Sequence, residues 1–188
     1  MATRKISAAP FAFAGILVGA LVPLLFTIAI FADANWTFDV NSLSDLGISS
    51  TKFAADLFNY TCMCAGILIA LFAVGKFLIR CGADKASAVF LLLGGLFLIG
   101  VGIFTKDSCY HNYIAWLYFI TVVIAMIISG ISDWKHGRTL TTAITVISFT
   151  VIVGSIPGFT IAGAEVITVM AMCFWMLGQA LSLAFSKD

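Results

Sequence analysis

Three stretches of the chain carry residue types able to do chemistry. Asn41-Ser42-Leu43-Ser44-Asp45-Leu46-Gly47 offers hydroxyls and a carboxylate. Gly102-Ile103-Phe104-Thr105-Lys106-Asp107, followed by His111, adds a second carboxylate and an imidazole, and Glu165 adds a third carboxylate. A hydroxyl, carboxylates and one imidazole suit metal-assisted hydrolysis or an oxygen-rich cation site. In that reading Ser44, Asp45 and His111 are the candidate catalytic residues. Asp107, His111 and Glu165 are the candidate ligands of a divalent metal, although a single histidine is thin for zinc. The same groups also suit a hydrogen-bond network that pins loops onto helices, and residue types alone leave both readings open.

Other chemistries have less support. The chain has two histidines, His111 and His136. They fall at opposite ends of any membrane-spanning arrangement and cannot share an iron, which argues against haem b. Cys62-Met63-Cys64 is C-x-C, not the C-x-x-C of thiol oxidoreductases. On a helix, positions two apart point about 200° from each other. A bridge from Cys109 to Cys62 is geometrically open, with small apolar filler as the plainer role for both. Asn35-Trp36-Thr37 is a glycosylation sequon, and Trp36 equally suits an interfacial anchor.

The elements that must position these groups follow from composition. Of 188 residues, 62% are hydrophobic and 10% charged, with a net charge of +1. Mean hydropathy is +1.12. Soluble domains carry about 25% charged residues, so this chain cannot clothe a water-facing surface and reads as an integral membrane protein. The near-zero charge gives no case for nucleic acid.

A spanning helix needs about 20 mostly apolar residues. Six such stretches are expected: Pro10 to Ala32, Phe53 to Ile79, Ala86 to Phe104, Asn112 to Ser132, Thr139 to Ile156 and Thr160 to Phe185. The connections are short, so the expected fold is all-α, a single six-helix bundle over 1–188. With the N-terminus in the cytoplasm, Arg4, Lys5, Lys76, Arg80, Lys85, Lys135, Arg138 and Lys187 fall inside, and only Lys52 and Lys106 outside. Positive residues favour the inside, so both termini are expected to be cytoplasmic. The first apolar run exceeds the 7–15 residues usual in a signal peptide and reads as a retained anchor.

The three reactive stretches then share the outer face. Leu43 and Leu46 are apolar in a polar setting, so Ser42 to Gly47 should dip back onto the bundle, with Ser44 or Asp45 capping a following turn. Asp56 and Asn59 share a face of the second helix. Glu165 sits about one turn inside the sixth helix, where an acid is costly unless paired, metal-bound or wetted. No charge falls at the bilayer centre. Lys76 and Arg80 lie near the inner end of the second helix, where long side chains snorkel. Thr27, Ser129 and Ser148 can bond back to their own helices. Gly15, Gly19, Gly94, Gly95, Gly100 and Gly102 predict close helix packing within the monomer.

At these residues the chain resembles the prokaryotic six-helix membrane proteins grouped as domain-of-unknown-function family 998. The resemblance rests on Ser44-Asp45-Leu46-Gly47, on Phe58-Asn59 with Gly66, and on Gly102 to Asp107 followed by His111, with Thr105 where the family pattern has proline. It covers nearly the whole chain, implies the six-helix architecture, and implies no established activity. More remotely, Ser, Asp and His at helix ends are similar to membrane hydrolases of the ceramidase and adiponectin-receptor type, whose three zinc-binding histidines this chain lacks.

The sequence therefore reads as a multi-pass cell-membrane protein with an outward-facing polar pocket. That pocket would bind or process a small or lipid-derived ligand, with membrane lipids as its surroundings. The alternative is a non-catalytic subunit beside membrane-protein partners.

Overall fold

The computed structural model describes residues 7–185. It contains α1 (Ala9–Ala32), a short 3-10 helix η1 (Leu43–Ile48), α2 (Lys52–Ile79), α3 (Ala83–Ile103), α4 (His111–Lys135), α5 (Thr139–Gly158) and α6 (Ile161–Ala184). Each of the six long helices is long and apolar enough to cross a membrane. In lipid the backbone must satisfy its own polar groups, and runs of Ala, Leu, Ile and Phe do so as unbroken helices. The boundaries fall within a few residues of the expected spans. Arg4, Lys5 and Lys187, counted in the charge asymmetry, lie outside the described residues.

Consecutive helices pack side by side, and α6 returns onto α1. Glycines set the closest approaches. Gly66 of α2 and Gly95 of α3 meet backbone to backbone: a Cβ on Gly95 would lie 2.7 Å from the Gly66 carbonyl oxygen. A Cβ on Gly19 of α1 would lie 2.9 Å from the Cys173 carbonyl oxygen of α6. These contacts are the intramolecular packing expected of the small residues. Trp175, Phe72, Leu91 and Met126 fill the interior, and the Trp175 indole N–H donates to Thr145 Oγ1 at 3.1 Å. Large side chains such as Phe31 and Phe185 stand out from the bundle, as a lipid-facing surface requires. All five cysteines are free, with Cys62 buried and Cys109 exposed. The Cys109–Cys62 bridge left open by the sequence is not formed.

Candidate functional site

The 3-10 helix η1 lies against one end of the bundle, and its sequence explains why. Leu43 and Leu46 are fully buried, so the segment docks as expected. The capping runs the other way from the expectation. Asp45 reaches back, accepting the Ser42 backbone N–H at 2.7 Å and the Ser42 hydroxyl at 3.0 Å. Lys106, from the α3–α4 connection, donates to Asp45 Oδ1 at 2.5 Å and to Ser42 Oγ at 2.9 Å. Burial alone would raise the Asp45 pKa, but the hydrogen bonds from Lys106 and Ser42 outweigh it and bring the carboxyl below its ordinary value. Trp36 Nε1 donates to the Ser42 carbonyl at 2.9 Å, and Asn59 Nδ2 to the Gly47 carbonyl at 3.0 Å. The preceding loop is tied to α6, because the Thr160 N–H and hydroxyl both donate to Asp39 Oδ1, at 2.8 and 2.9 Å.

This docking sets the positions of the candidate residues. The Ser44 backbone N–H donates to Glu165 Oε1 at 3.2 Å, and its hydroxyl pairs with Ser42 Oγ at 2.9 Å. His111 opens α4, is buried, and its Nδ1 lies 2.6 Å from the Phe104 carbonyl. A carbonyl only accepts, so Nδ1 carries the proton and Nε2 is the acceptor of the neutral ring. Asp107 is exposed and accepts the Thr105 hydroxyl.

Ser44, His111 and Glu165 line one cavity of about 610 Å³. These three groups mark the η1 end of the cavity, its rim, and Phe119, Val123, Ile152 and Val169 line the rest together with Tyr118 and Thr168. Along α4 the lining runs from His111 to Ile124, about 20 Å at the helical rise. Trp116 and Ile156 line it and are also 64% and 67% exposed. The cavity thus reaches the apolar surface between α4 and α5.

Not every candidate joins it. Asp45 is held behind the rim by Lys106, and Asp107 stands outside. Among the described residues no hydrogen bond links Ser44 or Asp45 to His111, and no cation or histidine lies within ion-pair distance of Glu165. No group of three His, Cys, Asp or Glu among the described residues is placed to hold a metal. The expected pocket was polar; the cavity is apolar with a polar rim.

The opposite end of the bundle holds a cluster that the sequence reading missed. Lys76 does not snorkel. Its amino group is buried and donates to Ser129 Oγ at 2.7 Å, Gln179 Oε1 at 2.9 Å and Ser87 Oγ at 3.2 Å. Gln179 Nε2 donates to Asp133 Oδ2 at 2.8 Å. Arg138 bridges Asp133 at 2.5 Å and Asp84 at 2.7 Å. Arg80, half-buried, donates to the Ser182 carbonyl at 2.8 Å. A signal was present in the sequence. Lys76, Ser87, Ser129 and Gln179 all lie within about two turns of the same end of their helices, so they form one polar layer. Of the three hydroxyls expected to bond back to their own helices, Thr27 does so at 2.7 Å, Ser129 is drawn to Lys76, and Ser148 Oγ is buried without a hydrogen-bond partner among the described residues.

Six apolar helices joined by short connections, with a buried ionic layer at one end and a cavity at the other, define a multi-pass helical membrane protein. The family model described as protein of unknown function, DUF998, matches residues 15–182, and the chain belongs to that family. No curated protein and no solved structure matches it. The residues that carry the resemblance meet in space: a Cβ on Gly47 would lie 2.7 Å from Asn59 Oδ1, and one on Gly102 would lie 2.6 Å from the Asn59 carbonyl.

Proposed function

We propose that this protein binds one lipid-derived amphiphile in the cavity beneath η1, drawn from the membrane between α4 and α5. The observation that carries the reading is the cavity's polarity gradient. Ser44, His111 and Glu165 sit at one end of a lining that runs about 20 Å along α4 and is mostly apolar beyond Asn112, with Tyr118 as its polar interruption. That is the profile of a molecule with a polar head and an apolar chain, in a volume within the usual range for small-ligand sites. The separation of Ser44 from His111 favours binding over processing. The charge asymmetry of the loops would put η1 at the outer leaflet of the cell membrane.

Native mass spectrometry and lipid analysis of the purified protein test this. Ala115 and Ala164 both line the cavity. Ala115→Trp and Ala164→Trp should lower the co-purifying amphiphile while the protein still inserts. Unchanged lipid occupancy in variants that fold would overturn the reading.

A further inference from the structure

We propose that the bound amphiphile carries a cationic head, an ammonium on a single apolar chain. This rests on the cavity reading above and specifies its ligand. The charged and imidazole groups at the rim have committed their donors. Lys106 is committed to Asp45 and Ser42, at 2.5 and 2.9 Å. The Ser44 N–H is committed to Glu165, and the His111 ring N–H to the Phe104 carbonyl. Asn112, Tyr118 and Thr168 also line the cavity, but they are neutral and can donate or accept, so they do not select for charge.

Two acceptors remain, the Glu165 carboxylate and Nε2 of His111. Lys106 and Asp45 cancel as a pair. Glu165 is therefore the one charged group on the lining without an ion-pair partner among the described residues. A carboxylate in an apolar, lipid-side cavity is costly unless paired. An ammonium supplies both the missing charge and N–H donors. Trp116 on the wall, about a turn and a half from His111, is the kind of side chain whose ring attracts a cation. A head bearing only phosphate or sulfate would meet a like charge and no free cation. The cavity's size suits one chain rather than two.

The test uses the full-length protein in phosphatidylcholine nanodiscs and three probes of equal chain length: 12-bromododecylammonium, 12-bromododecyl sulfate and 12-bromododecanol. Bromine quenches tryptophan fluorescence, and Trp116 lines the cavity. Saturable quenching that Trp116→Phe removes reports the site. The ammonium is expected to bind about tenfold or more tighter than the alcohol, with the sulfate weakest. Glu165→Gln should erase that preference, so that the ammonium binds no tighter than the alcohol. If Glu165→Gln does not insert, the ranking on the natural protein decides. Three equal probes, a tighter sulfate, or a preference that survives Glu165→Gln overturns the cationic head while leaving the cavity reading intact. No saturable quenching by any probe overturns both.

Discussion

Lys76 Nζ lies 2.9 Å from Gln179 Oε1, across 103 residues of sequence, and joins α2 to α6 inside the bundle. The same amino group donates to Ser87 and Ser129, so one cation gathers four helices. Removing one partner of a buried charged network strands the others and costs about 3–5 kcal/mol. Lys76→Ala should lower thermal stability in detergent by that order. Gln179→Leu added to Lys76→Ala should cost less than the sum of the two single changes, because they act in one network. Strict additivity in thermal unfolding would mean the two side chains are not coupled.

The helices were legible from the sequence and this layer was not, for a physical reason. Hydropathy is a property of each segment and fixes where a helix runs. Whether Lys76 turns outward to snorkel or inward to Gln179 depends on what neighbouring helices present at the same depth. The same limit applies at η1. Leu43 and Leu46 announced that the loop would dock. That Asp45 would reach back to Ser42, with Lys106 closing over both, depends on a connection more than sixty residues away. Glu165 was legible as a costly acid in a helix. Its partner, the Ser44 backbone N–H, was not, because any backbone amide could serve.

Asp45 makes the docking of η1 sensitive to acid. Its pKa is held below the ordinary value in the folded protein, so the unfolded chain takes up a proton first as pH falls. The stabilisation is complete above the ordinary Asp pKa of about 3.9 and fades as pH falls through the folded value. Protection of the amides of Leu43 to Ile48 against hydrogen exchange, relative to the intrinsic rate at each pH, should therefore fall below about pH 4, and Asp45→Asn should remove that dependence while lowering protection at neutral pH. Flat protection from pH 6 to pH 3 would show that the Asp45–Lys106 pair does not hold η1.

The glycine contact between α2 and α3 gives a matched pair of outcomes. A Cβ on Gly66 would collide with the Gly95 carbonyl, which is backbone and cannot swing aside, whereas a Cβ on Gly154 in α5 meets nothing within 4 Å. Gly66→Ala should destabilise by about 1–3 kcal/mol, the usual penalty for overpacking. Gly154→Ala should be neutral or stabilising by about 0.5–1 kcal/mol, because alanine is the better helix former. Equal melting temperatures for the two variants would contradict this packing.

Asp107, His111 and Glu165 belong to one end of the bundle but do not form a group placed to hold a metal. Extensive EDTA treatment should then leave the melting temperature and the co-purifying lipid unchanged. A fall in stability on chelation, restored by zinc and abolished by His111→Ala, would return the metal reading to these residues.

The chain carries its own reporters for orientation. Cys109, in the α3–α4 connection, and Cys81, in the α2–α3 connection, are both exposed, and they lie at opposite ends of the bundle. Lys76, Arg80, Lys85, Lys135 and Arg138 stand at the Cys81 end, while Lys52 and Lys106 stand at the other. Positive residues are retained in the cytoplasm, so the Cys81 end should be cytoplasmic and η1 with its cavity should face outward. A membrane-impermeant maleimide added to intact cells should label Cys109 and spare Cys81 until the membrane is opened. In a Cys64→Ser background, which removes the other exposed thiol, Cys109→Ser should abolish the first signal and Cys81→Ser the second. Labelling of Cys81 from outside would invert the protein. The amphiphile would then have to enter from the cytoplasmic leaflet, while the cavity and its rim would stay as they are.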